Sequence, residues 1–370
     1  MSAPAELPTD QALRPSWREH PVARVAGIAV RHPAVIPLGA VIVAVLIGGV
    51  IIVAAGLDPI TAYAAVISGA LDPDSLDYTF SVWAFICGMA LAAAIPLRMG
   101  EFNLGGNGQL VLGGLAAALV AGQLDLPAIL SVPVALIAAA VLAGSFGAIS
   151  APLATKFNIP IIISTLLLSP IAIALVSYLV RFQLGEEGSA VAQTERFPDE
   201  AQMWSLGDLS YTNVGLVVIV LLMIAFWLVD SRTAVGFELR VVGANRRFGS
   251  YGGVRVGRLA IGAMAASGAV AGIVGAIIVL SSPYRLIDGA LLSPGYTFAG
   301  LAAALLAGGR PALIPVTAIL FTVLQVGGAS MERSADVPRQ LSDVLQGVVI
   351  IVLALRTVIE SRRSGGKGAA

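Results

Sequence analysis

Residues 100–122 read GEFNLGGNGQLVLGGLAAALVAG, a glycine- and amide-rich start that continues into a run without charge. Similar charge-free stretches recur along the chain, and all but the last have the roughly 17–25 residues that a transmembrane helix needs. The sequence therefore predicts an all-α, polytopic membrane protein with about ten transmembrane helices. The stretches are 34–56, 78–97, 102–123, 127–149, 157–180, 213–229, 259–280, 290–309, 311–331 and 344–355.

The composition agrees with a membrane protein. Of 370 residues, 57% are hydrophobic and 12% are charged, against about 25% charged in soluble domains. Mean hydropathy is +0.90. A bilayer accommodates this apolar surface because a helix pairs its own backbone groups, so the lipid bilayer is the first expected partner. The 22 basic and 22 acidic residues balance, so nucleic-acid binding has no electrostatic support.

The residue types that build catalytic and metal sites are scarce. Cys87 is the single cysteine, and the two histidines, His20 and His32, lie in or beside the N-terminal tail. The terminal GGKG does not have the G-x-x-x-x-G-K-[ST] spacing of a nucleotide-hydrolysis loop. We therefore expect no cofactor, no metal and no catalytic residues, and the chain is not expected to be an enzyme.

Basic residues alternate with acidic ones in a way that indicates orientation. The loop 230–258 has six arginines, whereas 57–77 has four aspartates and no base, and 181–212 is acidic. Cytoplasmic loops are enriched in Lys and Arg. We therefore expect a plasma-membrane protein with both termini in the cytoplasm. Its parts would be a cytoplasmic tail (1–33), a transmembrane domain (34–356) with a cytoplasmic loop 230–258 and an extracytoplasmic loop 181–212, and a second cytoplasmic tail (357–370).

The start of the quoted stretch is a candidate substrate path. Asn103, Asn107 and Gln109 bring amide groups to membrane depth, and Gly105 and Gly106 loosen the helix. Irregular backbone at that depth is tolerated mainly where it lines a cavity. The alternative is a glycine-rich connection whose amides only cap helix ends.

A later stretch echoes this region. GGLAAALVAG at 113–122 and AGLAAALLAG at 299–308 are identical at eight of ten positions. In the ten-helix topology the two would run in opposite directions, as an inverted repeat requires. Chance recurrence of Ala, Leu and Gly is the alternative. If the repeat is real, 100–109 and SPGYTFAG at 293–300, with Tyr296 and Thr297, would face each other across a path between two copies of the chain.

The loop 230–258 contains a second candidate element. A short amphipathic stretch, Phe237 to Val242, is predicted to be helical and to end at Gly243. It is a candidate docking helix for a partner, and the alternative is a loop that only sets topology. The residues that would contact the partner are Glu238, Leu239, Arg240, Gly243, Asn245 and Arg246.

These stretches carry a family resemblance. MGEFNLGGNGQLVLGGLAAAL resembles the NIGxEGQ region of bacterial ATP-binding-cassette permeases of the branched-chain amino acid, simple sugar and nucleoside group. ISTLLLSPIAIALVSYL at 163–179 resembles their ISTIMLNYIA region, and the resemblance covers roughly 35–356. The loop 236–258 is similar to their LRAxGxNxxAAxxxGI coupling segment, with Leu239, Arg240, Gly243 and Asn245 matching.

The resemblance implies an importer subunit. Such a permease pairs with a second permease chain, the same or homologous, docks a cytoplasmic ABC ATPase on its coupling loop and receives substrate from an extracytoplasmic binding protein. The nucleoside and simple-sugar branches are the nearest. Asn107, Ser169 and Pro170 depart from the group's pattern and leave the substrate open, so branched-chain amino acids are an alternative. An ion-coupled secondary transporter is another, although no carboxylate lies inside a predicted helix.

Overall fold

The computed structural model describes residues 35–54, 56–207 and 211–335, and single helical positions at 341, 344, 347, 348 and 351. Both tails and most of the predicted helix 344–355 lie outside the described residues. Within them the chain is helical, with three isolated β-bridges. The α-helices are α1 (Val35–Ala54), α2 (Pro59–Leu71), α3 (Leu76–Leu97), α4 (Gly106–Gln123), α5 (Ala128–Ala148), α6 (Ser150–Phe157), α7 (Ile161–Phe182), α8 (Val214–Arg232), α9 (Ala234–Ala244), α10 (Arg246–Tyr251), α11 (Val256–Leu280), α12 (Tyr296–Leu306) and α13 (Ile314–Ala335).

The prediction of an all-α, polytopic membrane protein is confirmed. Six helical segments among the described residues are long and apolar enough to cross a bilayer. The predicted count of ten is not confirmed by length and composition, because several of the predicted stretches form shorter or later-starting helices. The six segments are Leu76–Leu97, Ala128–Phe157, Ile161–Phe182, Val214–Arg232, Val256–Leu280 and Pro311–Arg333.

Three parts of the predicted topology need correction. The predicted loop 57–77 contains the 13-residue helix α2, which Asp58 caps by accepting from the backbone N–H of Ile60 and Thr61 at 3.1 Å each. The predicted helix 102–123 begins only at Gly106. The predicted helix 290–309 is the 11-residue α12, which follows an irregular connection. A window sized for a full span misses helices this short and averages over irregular turns.

Helix α11 is the centre of the bundle and packs on α3, α4 and α5. Close approach is possible because glycines on α11 lie directly against backbone carbonyl groups of α4 and α5. Small residues of this kind let membrane helices gain van der Waals contact where lipid gives no hydrophobic drive. The three approaches are Gly268 to Ala143, Gly272 to Ala139 and Gly275 to Leu110.

The two similar stretches at 113–122 and 299–308 make equivalent helix contacts, one between α4 and α11 and the other between α12 and α3. Gly114 on α4 lies against α11, where its nearest backbone neighbour is the carbonyl oxygen of Gly275. Gly300, its equivalent on α12, lies against Met89 of α3. The register that aligns Gly114 with Gly300 also aligns Met89 with Gly275. Helices α3–α4 and α11–α12 therefore pack on each other reciprocally, as two related halves do.

The contact between α3 and α11 gives the direction of this relationship. Gly88 lies against Val274, its equivalent in the same register. The hydroxyl of Ser267 donates to the carbonyl oxygen of Ala92 at 2.5 Å. Moving forward along α3 thus means moving backward along α11, so the two helices are antiparallel. An inverted repeat has this geometry.

The segments that the charge pattern assigns to opposite sides lie at opposite ends of the bundle. At one end, Gly243 and Gly309 both lie against Arg98. At the other end, the backbone N–H of Thr212 donates to Asp77 at 2.6 Å. Thr194 there donates its N–H to the carbonyl oxygen of Leu286 at 2.9 Å. We call the end with the arginine-rich loop 230–258 the inner end and the other the outer end.

Candidate functional site

The connection between α3 and α4 is the inner turn, residues 98–105. Helix α3 contains Pro96 and ends at Leu97. Gly100 follows with φ +79°, a left-handed conformation that glycine adopts without a Cβ penalty. The N–H groups of Gly100 and Glu101 donate back to Leu97 (3.0 Å) and Pro96 (3.1 Å). The chain therefore leaves the helix sharply and stays irregular until Gly106.

Asn103 and Gln109 form a closed hydrogen-bonded network, with exposures of only 7% and 1%. Asn103 Nδ2 donates to Gln109 Oε1 at 2.7 Å and to Ser267 Oγ at 2.8 Å. Asn103 Oδ1 accepts from the N–H of Gly105 at 2.9 Å and from Gln109 Nε2 at 3.3 Å. Buried amides are costly unless they are paired in this way. The two amides thus fix the shape of the inner turn against α11.

Two hydroxyl groups on α7 hold the same segment from the other side. Thr165 Oγ1 accepts from the N–H of Leu104 at 3.2 Å, and Ser169 Oγ accepts from the N–H of Gly108 at 2.8 Å. The sequence presented Ser169 only as a departure from the family pattern and did not show this contact. The available signal was that these two polar residues lie four positions apart and therefore share one face of α7.

One side of the start of α4 has unused hydrogen-bonding groups. Asn107 is half-buried, and its side chain has no hydrogen bond to any described residue. The backbone N–H groups of Gly106 and Asn107 are likewise unpaired there, as first-turn donors of a helix are. Thr297 lies against Gly106, and its buried hydroxyl has no partner among the described residues. These groups form the candidate site.

Tyr296 and Gly106 determine how closely α12 approaches α4. Tyr296 is buried and packs edge to face on Phe85, with ring centroids 5.6 Å apart. A Cβ on Gly106 would lie only 2.6 Å from Thr297 Cγ2. The sequence predicted that the stretches 100–109 and 293–300 face each other across a path between two copies of the chain, whereas Gly106 and Thr297 pack together within one chain.

The arginine-rich loop forms two short helices, α9 and α10. The prediction that Gly243 ends the first helix is wrong, because α9 continues through Ala244. Asn245 separates the helices with an extended backbone (φ −157°), and its side chain caps α10 by accepting from Phe248 N at 3.0 Å. Gly243 instead lies against the carbonyl oxygen of Arg98, which any Cβ would overlap.

Ion pairs join this loop to the inner turn. The carboxylate of Asp230 accepts from Arg98 at 2.9 and 2.7 Å and from Arg240 at 3.3 Å. The side chain of Asp230 is 9% exposed and that of Arg98 is 17% exposed. Glu101 accepts from Arg246 at 2.6 Å, nearer the solvent. Residues of α8, α9 and α10 therefore hold the turn. We call these ion pairs, together with the contact between Gly243 and Arg98, the inner clamp.

The remaining two predicted contact residues of the loop face elsewhere. Leu239 is buried in the core at 3% exposure. Glu238 is half-buried and lines a cavity between α8, α9 and α11. The predicted set therefore divides into residues that hold the inner turn and residues that do not touch it.

The connection between α11 and α12, residues 281–295, is the outer turn and is gripped in a different way. Backbone N–H groups of the loop 183–205 donate to carbonyl oxygens along this turn and the end of α11. Asp288 accepts from Arg181 at 2.7 Å and from Ser177 at 3.0 Å. Glu186 accepts from Arg285 at 2.9 Å. We call this loop with its ion pairs the outer clamp.

Known proteins that are similar to this chain are transport permeases. The family of branched-chain amino acid transport system/permease components matches residues 75–354. The chain is 31% identical over 345 residues to a glucose ABC transporter permease protein of Haloferax volcanii, covering 89% of each chain. It is 29% identical over 327 residues to a guanosine ABC transporter permease protein of Bacillus subtilis, covering 86% of this chain and 92% of the relative. It is 28% identical over 336 residues to a nucleoside ABC transporter permease protein of Lactococcus lactis, covering 88% and 92% respectively.

Proposed function

The chain belongs to the family of branched-chain amino acid transport system/permease components, and on that premise we propose that it forms the membrane path of an ATP-binding-cassette importer for a nucleoside or a simple sugar. The observation that carries the proposal is the set of unused polar groups at the start of α4. Asn107 and the N–H groups beside it have no partner among the described residues, and Thr297, whose buried hydroxyl is also unpartnered there, packs against the neighbouring Gly106. The similar permeases of known substrate, for glucose, guanosine and nucleosides, support the substrate class.

The chemistry of these groups suits a neutral polar solute. An amide, backbone N–H groups and a hydroxyl offer donors and acceptors without charge. Sugar hydroxyls and the edges of a nucleobase need such partners. An amino acid would need countercharges for its carboxylate and ammonium groups, and Asn107 and Thr297 provide neither. A path must also release what it binds, and a few neutral hydrogen bonds allow that.

The inner clamp suggests how a partner would drive the path. A cytoplasmic ABC ATPase would dock on α9 and α10, with residues 230–258 as the coupling loop. Movement of these helices acts on Arg98 through Gly243 and Asp230, and on Glu101 through Arg246. The same turn continues directly into Asn103, so displacement at the clamp reaches the start of α4. Packed elements of this kind switch between discrete arrangements.

The remaining partners follow from the same assignment. An extracytoplasmic binding protein would dock at the outer end. There it would contact the outer clamp, which holds the turn that leads into α12. A second permease chain, the same or homologous, would complete the path. Both termini would be in the cytoplasm, because the arginine-rich loop marks the inner end as the cytoplasmic one. ATP hydrolysis would belong to the partner.

Uptake into proteoliposomes tests the proposal. The chain would be reconstituted with its ATPase and binding protein, and labelled nucleosides, sugars and branched-chain amino acids would be compared. We expect ATP-dependent uptake of a nucleoside or sugar, and a fall of about tenfold with Asn107→Ala or Thr297→Val, each of which removes one hydrogen-bonding group. Thr322→Val is the matched control, since Thr322 bonds within α13 to Ala318, away from the site.

Two results would contradict the proposal. Unchanged uptake by the double variant of Asn107 and Thr297 would remove these residues from the path while leaving the importer assignment intact. Uptake driven by an ion gradient with the chain alone, without an ATPase, would replace the importer with a secondary transporter.

A further inference from the structure

A cavity of about 610 Å³ lies at the inner end, apart from the candidate site. Its inner wall is apolar and belongs to three helices, with Ile95 on α3, Phe226 on α8 and Ala263 on α11. These residues are 5%, 9% and 6% exposed. The volume lies within the range of roughly 300–1,000 Å³ typical of small-molecule sites. The cavity is therefore large enough for a ligand with a substantial apolar part.

The rim of the cavity is charged. Arg255 and Arg258 of one segment and Glu238 of α9 all line it. None of the three makes an ion pair or side-chain hydrogen bond with any described residue. Arg240 and Arg246 of the same loop are both paired. The rim thus offers two guanidinium groups and one carboxylate that the fold itself does not use.

The position of the cavity relates it to the bilayer. Arg255 immediately precedes α11 and Arg258 lies in its first turn, and this helix is long and apolar enough to span the membrane. Gly262 and Ala266 continue the same face of α11 into the span, line the cavity and are exposed. A basic rim at the interface above an apolar track is the arrangement in which long cationic side chains meet lipid head groups.

We propose that this cavity binds one phosphatidylethanolamine molecule. Its phosphate would be held by the guanidinium groups of Arg255 and Arg258, which form strong charge-assisted hydrogen bonds to phosphate oxygens. Its ammonium group would be held by the carboxylate of Glu238. One acyl chain would lie along Gly262 and Ala266, against the apolar wall. The presence of both charge signs selects a zwitterionic head group over a purely anionic one. The proposal does not depend on the transported substrate.

Native mass spectrometry of the full chain in detergent tests the proposal. Phosphatidylethanolamine, phosphatidylglycerol and phosphatidylcholine would be titrated separately. We expect the tightest binding for phosphatidylethanolamine, and a loss of at least about tenfold with Arg255→Gln combined with Arg258→Gln. Arg247→Gln is the matched control, because Arg247 is an exposed arginine of the same loop that does not line the cavity. It should bind lipid as the unchanged chain does.

Two further variants separate lipid recognition from general loss of structure. A Cβ at Gly262 meets open space, so Gly262→Leu should fold normally while filling the track for the acyl chain and weakening all three lipids. Glu238→Gln should remove the preference for phosphatidylethanolamine over phosphatidylglycerol without abolishing binding. A merely structural role for Glu238 would not change the order of the lipids.

Several outcomes would overturn the proposal. Unchanged phosphatidylethanolamine binding by the double arginine variant would do so directly. Displacement of the lipid by inorganic phosphate at equal concentration would make this a site for free phosphate. Equal binding of phosphatidylcholine, whose trimethylated amine donates no hydrogen bond, would remove the role of Glu238. Failure to retain any lipid, together with capture of an ATPase that requires both arginines, would make the cavity a protein-docking surface.

Discussion

The inner turn and the outer turn occupy equivalent places in the two halves of the molecule, yet ion pairs and backbone hydrogen bonds contribute to them in different proportions. Each connects a long central helix to a helix that begins irregularly, α3 to α4 and α11 to α12. The inner turn, 98–105, is short and is gripped by ion pairs and a glycine contact. The outer turn, 281–295, is longer and is gripped largely by backbone hydrogen bonds from the loop 183–205.

The difference indicates how each end is built to respond. A buried ion pair resists separation strongly but depends on a few atoms, so one displaced helix changes it completely. A row of backbone hydrogen bonds spreads the interaction over many residues and tolerates the loss of any one side chain. The inner clamp is therefore suited to transmitting a push from a partner, and the outer clamp to keeping α12 in place. Four experiments test this contrast.

The largest effect is expected for Asp230→Ala. It leaves Arg98, whose side chain is 17% exposed, without its countercharge, and breaking a buried pair costs about 3–5 kcal/mol. Thermal unfolding of the purified chain in detergent measures the loss. Asp230→Asn keeps the shape and should lose less. An unfolding temperature equal to that of the unchanged chain would show that Asp230 does not hold the inner turn.

Gly243→Val is expected to come next. The new side chain would overlap the carbonyl oxygen of Arg98, and overpacking of this kind costs about 1–3 kcal/mol. The rate of ATP-driven uptake should fall further than the loss of folded protein alone explains, because α9 no longer packs closely on the inner turn. Unfolding and ATP-driven uptake would be measured on the same sample. Ala244→Val, a neighbouring exposed position, is the control, and an equal loss of uptake there would remove the specific role of Gly243.

Asp288→Ala, the counterpart in the outer clamp, should cost less than Asp230→Ala. Its partner Arg181 has a side chain that is 57% exposed, so water replaces the lost carboxylate. We expect a loss of about 1–2 kcal/mol, for the hydrogen bonds from Arg181 and Ser177. Thermal unfolding again provides the measurement. A loss as large as that of Asp230→Ala would mean that the two clamps do not differ in kind.

The smallest effect is expected for the pair Glu101 and Arg246. The side chain of Arg246 is 55% exposed, and exposed ion pairs are worth about 0.2–1 kcal/mol. A double-mutant cycle with Glu101→Gln and Arg246→Gln, measured at low and at high salt, isolates the interaction. The coupling energy should shrink as salt screens the charges. A coupling energy above about 1 kcal/mol would show that this pair, like Asp230, contributes strongly to the inner clamp.

The sequence indicated much of the site region but not its internal arrangement. The amides of Asn103, Asn107 and Gln109 were all predicted to line a path, since all three are polar groups within an apolar run. Their environments differ, because Asn103 and Gln109 bond to each other and to Ser267, which is distant in the sequence. Asn107 has no such partner among the described residues and stays the candidate for substrate contact.

The membrane environment, the helical class and the family could all be predicted from the sequence, because charge-free runs and local motifs depend only on neighbours along the chain. The sequence also contained the echo that marks the inverted repeat. The packing of the helices was needed to show that Gly243 lies on Arg98 instead of ending a helix, that residues 59–71 form a helix and that Asp230 pairs with two arginines. Each of these depends on residues far apart in the chain or on packing against another helix, and local pattern does not encode which distant surfaces meet.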